Sequence, residues 1–590
     1  MTEGAMKQGE IGSILVVDCG AVMTKAMLLD QIGGEYRFVA SGAAPTTSGA
    51  PIRDVTRGIV SAVDQIAGLT GRQFFDDEGE LITPQATSRQ GVDAFAATVS
   101  AGEPLQIVLS GLVPDLSVAS AKRAAAGTYA HIAAVLGGGE GGTASDEAKV
   151  RAIRQANTDV VLLAGGVDGG AERPVLDAAK AATLACAMME REDRPTVVYA
   201  GNAHLRRRVT EIIGDEAQLR VVENVRPTLD DEVLWDAQQE LQALYRQRKM
   251  NSVPGLATPA EWSAVPVTPT AHAFGQLVHY LWYLGDPDKG MLGIDIGGAS
   301  TTVAAVFDEQ LYLTVAGSAG VAFADQQLLS DSNLDALAAW IPEPIPPHEL
   351  RALLLNKSIH PASLPQTENE LRLEQALACA TISRTVELAR PGWQANAAQF
   401  RPGLMPLCDT ILLSGASLTR APRPGQAALL VLNAVQPVGV STLVMDRYGL
   451  APALGSVAAL KPLAAVEALD AGGFTNLATV VAPVGGDARP GDVIIGVTVS
   501  YDDGSQLDVE VPYGEIEVLP LPLRQEAVLE LRPMKGFDVG LGKPGKGGKR
   551  RVSGGLAGLI VDARGRPLPA AADCENPHDR MQAWLCHVGA

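Results

Sequence analysis

Short apolar runs alternate with segments of helical spacing along the first third of the chain. Three successive runs, Ile14–Asp18, Thr24–Leu29 and Tyr36–Ala40, predict strands joined by short turns. Further on, Gln106–Ser110 and Val160–Ala164 are continuous apolar runs of the kind found in buried parallel strands. The pattern predicts a three-stranded meander followed by βαβ alternation.

The same order of patterns returns in the second half. Leu292–Asp295, Thr302–Phe307 and Leu311–Val315 predict three short strands, and a helix is predicted before them at Ala271–Leu284. After residue 470 apolar and polar positions alternate between turns rich in glycine and proline, which is typical of a small β barrel or sandwich. We therefore expect an α/β fold class with two α/β domains and a C-terminal all-β domain.

The expected domain boundaries follow shifts in composition. We assign residues 11–215 to the first α/β domain, 216–270 to a connecting region with a Pro-rich linker, 271–470 to the second α/β domain and 471–590 to the β domain. A proline-interrupted stretch near 331–364 is predicted as an insertion in the second α/β domain.

Composition and charge narrow the functional classes. The 590 residues carry a formal net charge of -20 and a pI of about 4.9, which argues against nucleic-acid binding because phosphate contacts need clustered Lys and Arg. Six scattered cysteines without a C-x-x-C pair argue against zinc or iron–sulfur ligation and are typical of a reducing compartment. The sequence has neither the apolar core of a signal peptide nor a membrane span, so we expect a cytoplasmic protein.

Two acidic hairpins carry the candidate chemistry. In the first, Asp18 ends a strand, Gly20 permits a tight turn, and Lys25 follows in the next strand. Asp18 is suited to hold a hydrated Mg²⁺ ion, and Lys25 to reach a phosphate oxygen. D-x-G turns are also common without any function, because Asp and Gly favour turns.

The second hairpin repeats the arrangement. It offers Asp295, the pair Gly297 and Gly298, and the hydroxyls of Ser300 and Thr301. Two such hairpins facing each other would clamp a polyphosphate from both sides. Since carboxylates repel phosphates, the arrangement requires a cation between them.

The paired hairpins resemble the two phosphate motifs of the actin, sugar kinase and heat-shock chaperone ATPase superfamily. Lys25 lies seven residues after Asp18, as in actin-like members, and Ile411–Leu418 resembles the adenosine motif. Gly449–Leu460 is similar to the second connecting helix, in which Gly455 would permit close helix crossing. The resemblance implies two actin-like, ribonuclease H-like α/β domains flanking a nucleotide cleft, with ATP and Mg²⁺ as cofactors.

Within that superfamily the chain resembles the glutamate mutase-associated MutL family, which is unrelated to the mismatch-repair protein. The resemblance rests on "VVDCGAVMTKAML", "DVVLLAGGVDGGAERPVLDAAK", "VVYAGN" and "LGIDIGGASTTV". It implies an ATP-dependent, chaperone-like activator or reactivator of an adenosylcobalamin-dependent mutase of the glutamate mutase or aminomutase type, whose subunits would be the partners. A cobalamin-binding D-x-H-x-x-G signature is absent, so the chain is expected to be a partner of the mutase and not the mutase itself.

The resemblance also implies site residues. Catalytic candidates are Asp18, Lys25, Asp295 and Gln276, the last as a water-positioning group on the first connecting helix with His279 as second choice, and the two aspartates are the metal candidates. The implied nucleotide-binding residues are Gly20, Thr24, Lys25, Gly297, Gly298, Ser300, Thr301, Gly415, Ala416 and Gly455. Asp168 is predicted either to face the cleft or to cap the helix that follows it.

Three departures from the superfamily pattern leave the type of activity open. Ala21 stands where a Ser or Thr often contacts phosphate, Thr302 stands where an Asp commonly closes the second motif, and the adenosine motif reads S-G-A-S in place of G-T-G-G. We therefore expect ATP binding with slow hydrolysis. A small-molecule kinase and a non-catalytic scaffold with a decayed nucleotide site are the alternatives.

Three glycine-rich stretches are predicted to be irregular segments or loops. Residues 70–104 are predicted to be irregular, and 136–142 are predicted to be a loop although they match G-x-G-x-x-G, after a stretch from Gly127 that has helical character. Residues 540–547 match G-x-x-x-x-G-K but lack the Ser or Thr that holds Mg²⁺. With the cations at 549–551 they are predicted to form a solvated basic loop.

Overall fold

The computed structural model describes residues 11–137, 145–322, 331–338, 340–393, 403–568 and 576–589. By contact clustering the chain forms two compact units. The first comprises Met1–Ser100, Gly255–Tyr312 and Ala319–Ala590, and the second comprises Ala101–Pro254 and Leu313–Ser318. Residues 11–215, expected from the sequence to form one domain, thus contribute to both units.

The strands, in chain order, are β1 Ser13–Cys19, β2 Met23–Ile32, β3 Glu35–Pro45, β4 Ala94–Val99, β5 Leu105–Ser110, β6 Ala130–Leu136, β7 Val160–Leu163, β8 Thr196–Tyr199, β9 Leu219–Val221, β10 Thr268–Pro269, β11 Gly290–Ile296, β12 Thr301–Phe307, β13 Gln310–Ala316, β14 Cys408–Ser414, β15 Gly439–Met445, β16 Thr475–Ala482, β17 Val493–Tyr501, β18 Gln506–Pro512, β19 Ile516–Leu519, β20 Glu526–Pro533, β21 Gly548–Ser553 and β22 Leu559–Asp562.

The α-helices are α1 Val55–Thr70, α2 Ala119–Ala125, α3 Asp146–Gln155, α4 Arg173–Ala187, α5 Arg206–Ile213, α6 Trp235–Arg248, α7 Ala257–Trp262, α8 Thr270–Trp282, α9 Asp331–Ala338, α10 Pro347–Ile359, α11 Glu368–Ala389, α12 Ala416–Thr419, α13 Pro424–Ala434, α14 Ala451–Leu460, α15 Pro462–Ala468 and α16 Pro577–His587. Among the described residues, no helix is both long and apolar enough to cross a membrane.

Two sheets of the first unit share one strand order. The first sheet has the order β10-β4-β1-β2-β3, and within the second sheet β15-β14-β11-β12-β13 repeats it. In both, the first three strands form an antiparallel meander, and the opening strand pairs on its other side with a parallel strand. The predicted fold class, two α/β parts opened by meanders and followed by a β region, is confirmed.

The strand β4 was missed by the sequence prediction, which treated residues 70–104 as irregular. Its sequence AFAATV is dominated by alanine, which has low β propensity, and the stretch before it is polar and glycine-rich. All six of its residues are nevertheless buried, because β4 lies inside the sheet between β1 and β10. Tertiary position outweighs local propensity here.

The second unit contains, in its described residues, a parallel five-stranded sheet of order β6-β5-β7-β8-β9. The predicted buried strands at 106–110 and 160–164 are confirmed as β5 and β7. The stretch credited with helical character is the strand β6, since its alanines pair alongside β5. Most of the glycine-rich loop predicted at 136–142 lies outside the described residues.

The C-terminal segment builds two structures. β17, β18, β20 and β21 form an antiparallel four-stranded sheet, which confirms the predicted β region. β16, β22 and β19 instead extend the second sheet beyond β15, and α16 follows them. The segment expected at 471–590 is therefore partly fused to the second α/β part, a pairing between distant strands that local patterns do not encode.

A buried ionic cluster lies near the end of the chain. The Asp562 carboxylate accepts from Nε and Nη2 of Arg564, each at 2.8 Å, and from Nη2 of Arg566 at 2.6 Å. Arg564 also donates to Asn433 at 2.7 Å and stacks over the Trp584 ring at 4.4 Å. The cluster thus links β22 to helices α13 and α16.

The basic side chains of β21 are paired with acids. Lys549 lies 3.3 Å from Glu530, Arg550 lies 3.9 Å from Asp286, and Arg551 bonds Glu526. The side chains of Lys549 and Arg551 are exposed to solvent. The cations at 549–551, which were predicted to lie in a solvated loop, are therefore part of a strand, where acidic side chains neutralise them.

Candidate functional site

The two acidic hairpins make the same turn. The amide N–H of Gly20 donates to the carbonyl of Met23 at 3.1 Å, and that of Gly297 donates to the carbonyl of Ser300 at 2.9 Å. In both cases the glycine lies two residues after an aspartate, Asp18 in the first. Gly297 thus has the position of Gly20, as the sequence repeat predicts, and Ser300 has the position of Met23.

Each aspartate lies opposite one residue of the next strand. Asp18 pairs across the β1–β2 ladder with Lys25, and Asp295 pairs across β11–β12 with Thr302. Directly opposed residues of an antiparallel pair project from the same face of the sheet. Thr302 therefore takes the place that Lys25 has in the first hairpin, and only one hairpin carries a cation there.

Asp18 is held by two hydroxyl groups. Thr98 Oγ1 donates to Asp18 Oδ1 at 2.8 Å, and Thr270 Oγ1 donates to the same oxygen at 2.7 Å. Thr98 lies in β4 and Thr270 is the first residue of α8. Asp18 is only 7% exposed, so these bonds fix the orientation of a buried carboxylate.

Asp446 is a third carboxyl group of this site, and sequence reasoning missed it. It directly follows β15 and accepts the backbone N–H groups of Leu450 and Ala451 at 2.7 and 2.8 Å, at the start of α14. The Ser414 hydroxyl donates to it at 3.2 Å. Asp446 is fully buried, and burial raises its pKa although these donors and Lys25 favour the charged form.

Electrostatics connect the three carboxyl groups. Burial raises the pKa of Asp295 to about 6, and the charges of Asp18 and Asp446 add to the rise, whereas Lys25 and the Ser414 hydroxyl oppose it. Asp295 keeps partial access to solvent. Acidic neighbours that raise the pKa of a carboxyl group in this way mark a site with an excess of negative charge.

Lys25 reaches the loop that leads to α14. A β-carbon added at Gly449 would lie 2.8 Å from Lys25 Nζ and 3.3 Å from its Cδ. Gly449 has φ of +71°, a conformation that other residues rarely adopt. The absence of a side chain at Gly449 thus leaves room for the ammonium group near the carboxyl cluster.

The tips of the hairpins contact each other. A β-carbon at Gly298 would lie 2.4 Å from Val22 Cγ2, so only glycine permits the observed approach. Thr46 Oγ1 donates to the Gly20 carbonyl at 2.7 Å, and Ala322 N donates to the Gly298 carbonyl at 2.8 Å. Both tips are therefore anchored within the first unit.

The donor set fits a magnesium–phosphate group better than a bare metal ion. Three carboxyl groups face one lysine, and among the described residues no group of three or more His, Cys, Asp or Glu side chains is arranged to hold a metal by itself. Mg²⁺ is commonly held by one or two carboxylates together with water and substrate phosphates. Asp18 and Asp295 are the residues that would hold it.

Comparison with known protein families identifies the family of the chain. A profile of the family described as MutL protein matches residues 14–471, more than three quarters of the chain. The chain belongs to the MutL family. The family resemblance inferred from the sequence motifs is thereby confirmed.

The individual proteins similar to this chain share a low sequence identity with it. Protein MutL of Clostridium tetanomorphum is 27% identical over 335 residues, which span 53% of this chain and 69% of that protein. Among solved structures, the nucleotide-free structure of acetone carboxylase covers 86% of this chain and 82% of its own, at 13% identity and a TM-score of 0.33. Xylulose kinase from Bifidobacterium adolescentis covers 77% and 93%, at 12% identity and a TM-score of 0.27. The fold assignment therefore rests on strand order and on the family match.

Two threonines that were predicted to bind nucleotide point away from the carboxyl groups of Asp18 and Asp295. Thr24 is fully buried on the opposite face of the first sheet, and its Oγ1 lies 2.9 Å from Thr46 Oγ1. Thr301 is fully buried at the equivalent place and donates to the Ala319 carbonyl at 2.8 Å. In this MutL-family chain both hydroxyls brace the hairpins, because neighbouring strand residues point to opposite faces.

The predicted adenosine motif lies next to the second hairpin. Gly415 follows β14 with φ of +101°, and a β-carbon there would lie 2.1 Å from the Ile296 carbonyl oxygen. Ala416 is exposed and begins α12. Gly415 thus serves close backbone packing, while Ala416 presents a small surface beside it.

Gly455 lies at a helix crossing. A β-carbon at Gly455 would lie 1.9 Å from the Ala273 carbonyl oxygen, so α14 and α8 approach closely there. The helix crossing predicted for Gly455 is present. Because α8 also supplies Thr270, the crossing positions a partner of Asp18.

The candidate water-positioning residues lie further along α8. Gln276 is exposed and lies six positions after Thr270 on the helix. His279 is partly buried, its ring lies 5.4 Å from that of Tyr283, and its Nε2 has no hydrogen-bond partner in the structure. The structure does not bring either side chain into the bonded network around Asp18.

Asp168 belongs to the second unit. Its Oδ1 accepts from Ala203 N at 2.7 Å and from Asn224 Nδ2 at 2.9 Å. Of its two predicted roles, neither a cleft contact nor capping of α4 is seen in these bonds. Asp168 instead ties the loop after β7 to the segments after β8 and β9.

The bonded partners missed by sequence reasoning share one property. They lie at or next to the C-terminal ends of strands and come from distant parts of the chain: Asp446 follows β15, Ser414 ends β14, and Thr98 is the next-to-last residue of β4. The signal at Asp446 was present, since an Asp between an apolar run and a helical segment is typical of a helix N-terminus. Strand order, which the sequence leaves open, decides that it meets Asp295.

Proposed function

We propose that this chain binds Mg²⁺-ATP at the two hairpins, hydrolyses it slowly, and uses the cycle to activate or reactivate an adenosylcobalamin-dependent mutase in the cytoplasm. The observation that carries the proposal is the meeting of Asp18, Lys25, Asp295 and Asp446 at two hairpins of equal geometry. Such an excess of buried negative charge would repel the phosphates of ATP unless a cation lay between them.

The roles of the protein groups follow from their surroundings. Asp18, oriented by Thr98 and Thr270, and the partly exposed Asp295 are proposed as the Mg²⁺ ligands. The bound ion would neutralise the charge of the phosphates. Lys25 is proposed to contact a phosphate oxygen, since an ammonium group binds phosphate as a point charge.

The residues near the carboxyl groups support slow hydrolysis of ATP. Thr302 faces Asp295 where an acid is common in the superfamily, and a threonine hydroxyl at neutral pH is a poor general base. Gln276 is exposed on α8, so the positioning of water by this residue would be loose. Membership of the MutL family supports a mutase as partner.

Calorimetric titration of the purified chain with ATP and MgCl₂ tests nucleotide binding. Replacing Lys25 by Ala removes one charge-assisted contact worth about 1.5–3 kcal/mol, so ATP affinity should fall roughly tenfold to a hundredfold. Lys180→Ala is the matched control, because Lys180 is an exposed lysine that pairs with Asp177 on α4. Equal affinity of the two variants would contradict the assignment of Lys25.

A second assay tests the biological role. A mutase whose cofactor has been damaged should regain turnover when the chain, ATP and intact adenosylcobalamin are added together. The Asp18→Asn and Lys25→Ala variants should not support this recovery. ATP consumption that depends strictly on one metabolite would instead identify a kinase.

A further inference from the structure

The second unit contains a groove that the nucleotide site does not use. It has a volume of about 980 Å³ and lies between α3 and the end of α4 with the loop that follows it. Cavities of about 300–1,000 Å³ are typical of sites that bury a ligand.

One wall of the groove is apolar and solvent-exposed. Leu184 and Met188 lie four residues apart, at the end of α4 and directly after it, and therefore share a face. They are 53% and 52% exposed, and Met189 adjoins them. Methionine adapts its shape to a partner, and exposed apolar side chains that line one groove mark interaction sites.

The opposite wall and the rim are charged. α3 presents Glu147, Arg151 and Arg154 on successive turns, with Val150 as the buried floor. Four acids, Asp146, Glu147, Glu190 and Asp193, line the groove with two arginines, and Asp146 is paired with Lys149 at 3.1 Å, so the excess of negative charge comes from the other three acids. An occupant with an apolar stripe flanked by Lys or Arg would match this distribution.

We propose that the groove receives an amphipathic helix of a protein partner, whose apolar face lies on Leu184 and Met188 and whose basic side chains meet the acidic rim. A helix laid along a groove between two helices is a recurrent recognition mode. α3 is ten residues long, about 15 Å, which matches roughly three turns of an incoming helix. The inference rests on the proposed function in naming the mutase as that partner.

Binding of purified mutase subunits to the full-length chain tests the proposal. In the Leu184→Glu, Met188→Glu double variant, two charges enter the apolar wall, and affinity should fall at least tenfold. Both positions are half exposed, so the variant should keep its circular dichroism and its Tm. Leu463→Glu is the matched control, since Leu463 is 53% exposed on α15 of the first unit, and it should bind normally.

The charge part of the proposal has its own test. Affinity should fall as salt is added, and Glu147→Lys with Asp193→Lys should weaken binding severalfold, whereas Arg151→Glu should not weaken it. A photo-crosslinking residue at position 188 should attach to a Lys- or Arg-bearing helix of the mutase. A crosslink to an acidic or extended segment would overturn the inference.

The remaining outcomes separate the two proposals. If the mutase binds the wild type and the double variant equally, the groove assignment is wrong while the proposed function stands. If the mutase does not bind the wild-type chain at all, the partner half of the proposed function fails and the groove assignment fails with it. If sedimentation shows a wild-type dimer that the double variant loses, a second copy covers the groove and the inference is overturned.

Discussion

Val22 and Gly298 bring the two acidic hairpins into direct contact. The two residues are far apart in sequence, yet a β-carbon at position 298 would lie 2.4 Å from Val22 Cγ2. The contact joins the tip of one sheet's first hairpin to that of the other. The spacing of the hairpins is therefore set by the Val22 side chain and by the lack of a side chain at position 298.

Enlarging one tip should separate the hairpins, and shrinking the other should restore them. Gly298→Ala is expected to lower the free energy of unfolding by about 1–3 kcal/mol, the usual cost of overpacking, and to weaken ATP binding. The Val22→Ala, Gly298→Ala double variant should recover most of both losses. Urea denaturation and ATP titration of the four proteins complete the cycle, and additive effects would contradict the contact.

Asp295 should make stability depend on pH in a defined direction. Its pKa of about 6 in the folded protein exceeds the value of about 3.9 for an unfolded chain. Between those values the folded protein retains a proton that the unfolded chain has released, so the free energy of unfolding falls as pH rises. Above about 6 the penalty is complete.

The Asp295→Asn variant lacks this penalty. Measured in EDTA, its Tm relative to wild type should be lowest near pH 4 and should rise until it levels off above pH 6. Subtracting the two proteins removes the contributions of other titrating groups. A difference that is flat, or that falls with pH, would show that the Asp295 carboxyl is not held in its neutral form.

The helix crossing at Gly455 should tolerate no side chain. Gly455→Ala places a β-carbon 1.9 Å from the Ala273 carbonyl oxygen, so α8 and α14 must move apart, at a cost of about 1–3 kcal/mol or more. Gly68→Ala is the control, because Gly68 lies in α1 with open space around it. The control should be neutral or stabilised by about 0.5–1 kcal/mol.

The buried Asp562 carboxylate should be essential for stability. Burial alone would raise its pKa, but Arg564 and Arg566 hold that pKa well below its usual range. Asp562→Asn leaves two buried guanidinium groups without their anion, which should cost about 3–5 kcal/mol in urea denaturation. Glu526→Gln, which removes an exposed partner of Arg551, should change stability by less than about 0.5 kcal/mol.

Local patterns sufficed for much of this structure. The two meanders, the D-x-G turns and the helix containing Gly455 are encoded within short segments. The spacing of Asp18 and Gly20 recurs in Asp295 and Gly297, and this repeat revealed the internal symmetry. Strand β6 was less accessible, because its alanines have high helix propensity.

The rest depended on contacts between distant segments. Asp446 lies at the site because only β14 stands between β15 and β11 in the sheet. Thr24 does not, because neighbouring strand residues point to opposite faces and its hydroxyl lies beside Thr46. The insertion of the second unit between β4 and β10 was hidden for a similar reason. Its own strands continue the βαβ pattern of the first sheet, so the sequence shows no break between them.

The two hydroxyls on Asp18 also mark where the chain leaves the first unit and returns to it. Thr98 lies three residues before Ala101, where the inserted unit begins, and Thr270 lies sixteen residues after Pro254, where its main segment ends. A change in backbone geometry at Thr98 or at Thr270 would therefore reach the Asp18 carboxylate through a single hydrogen bond on each side.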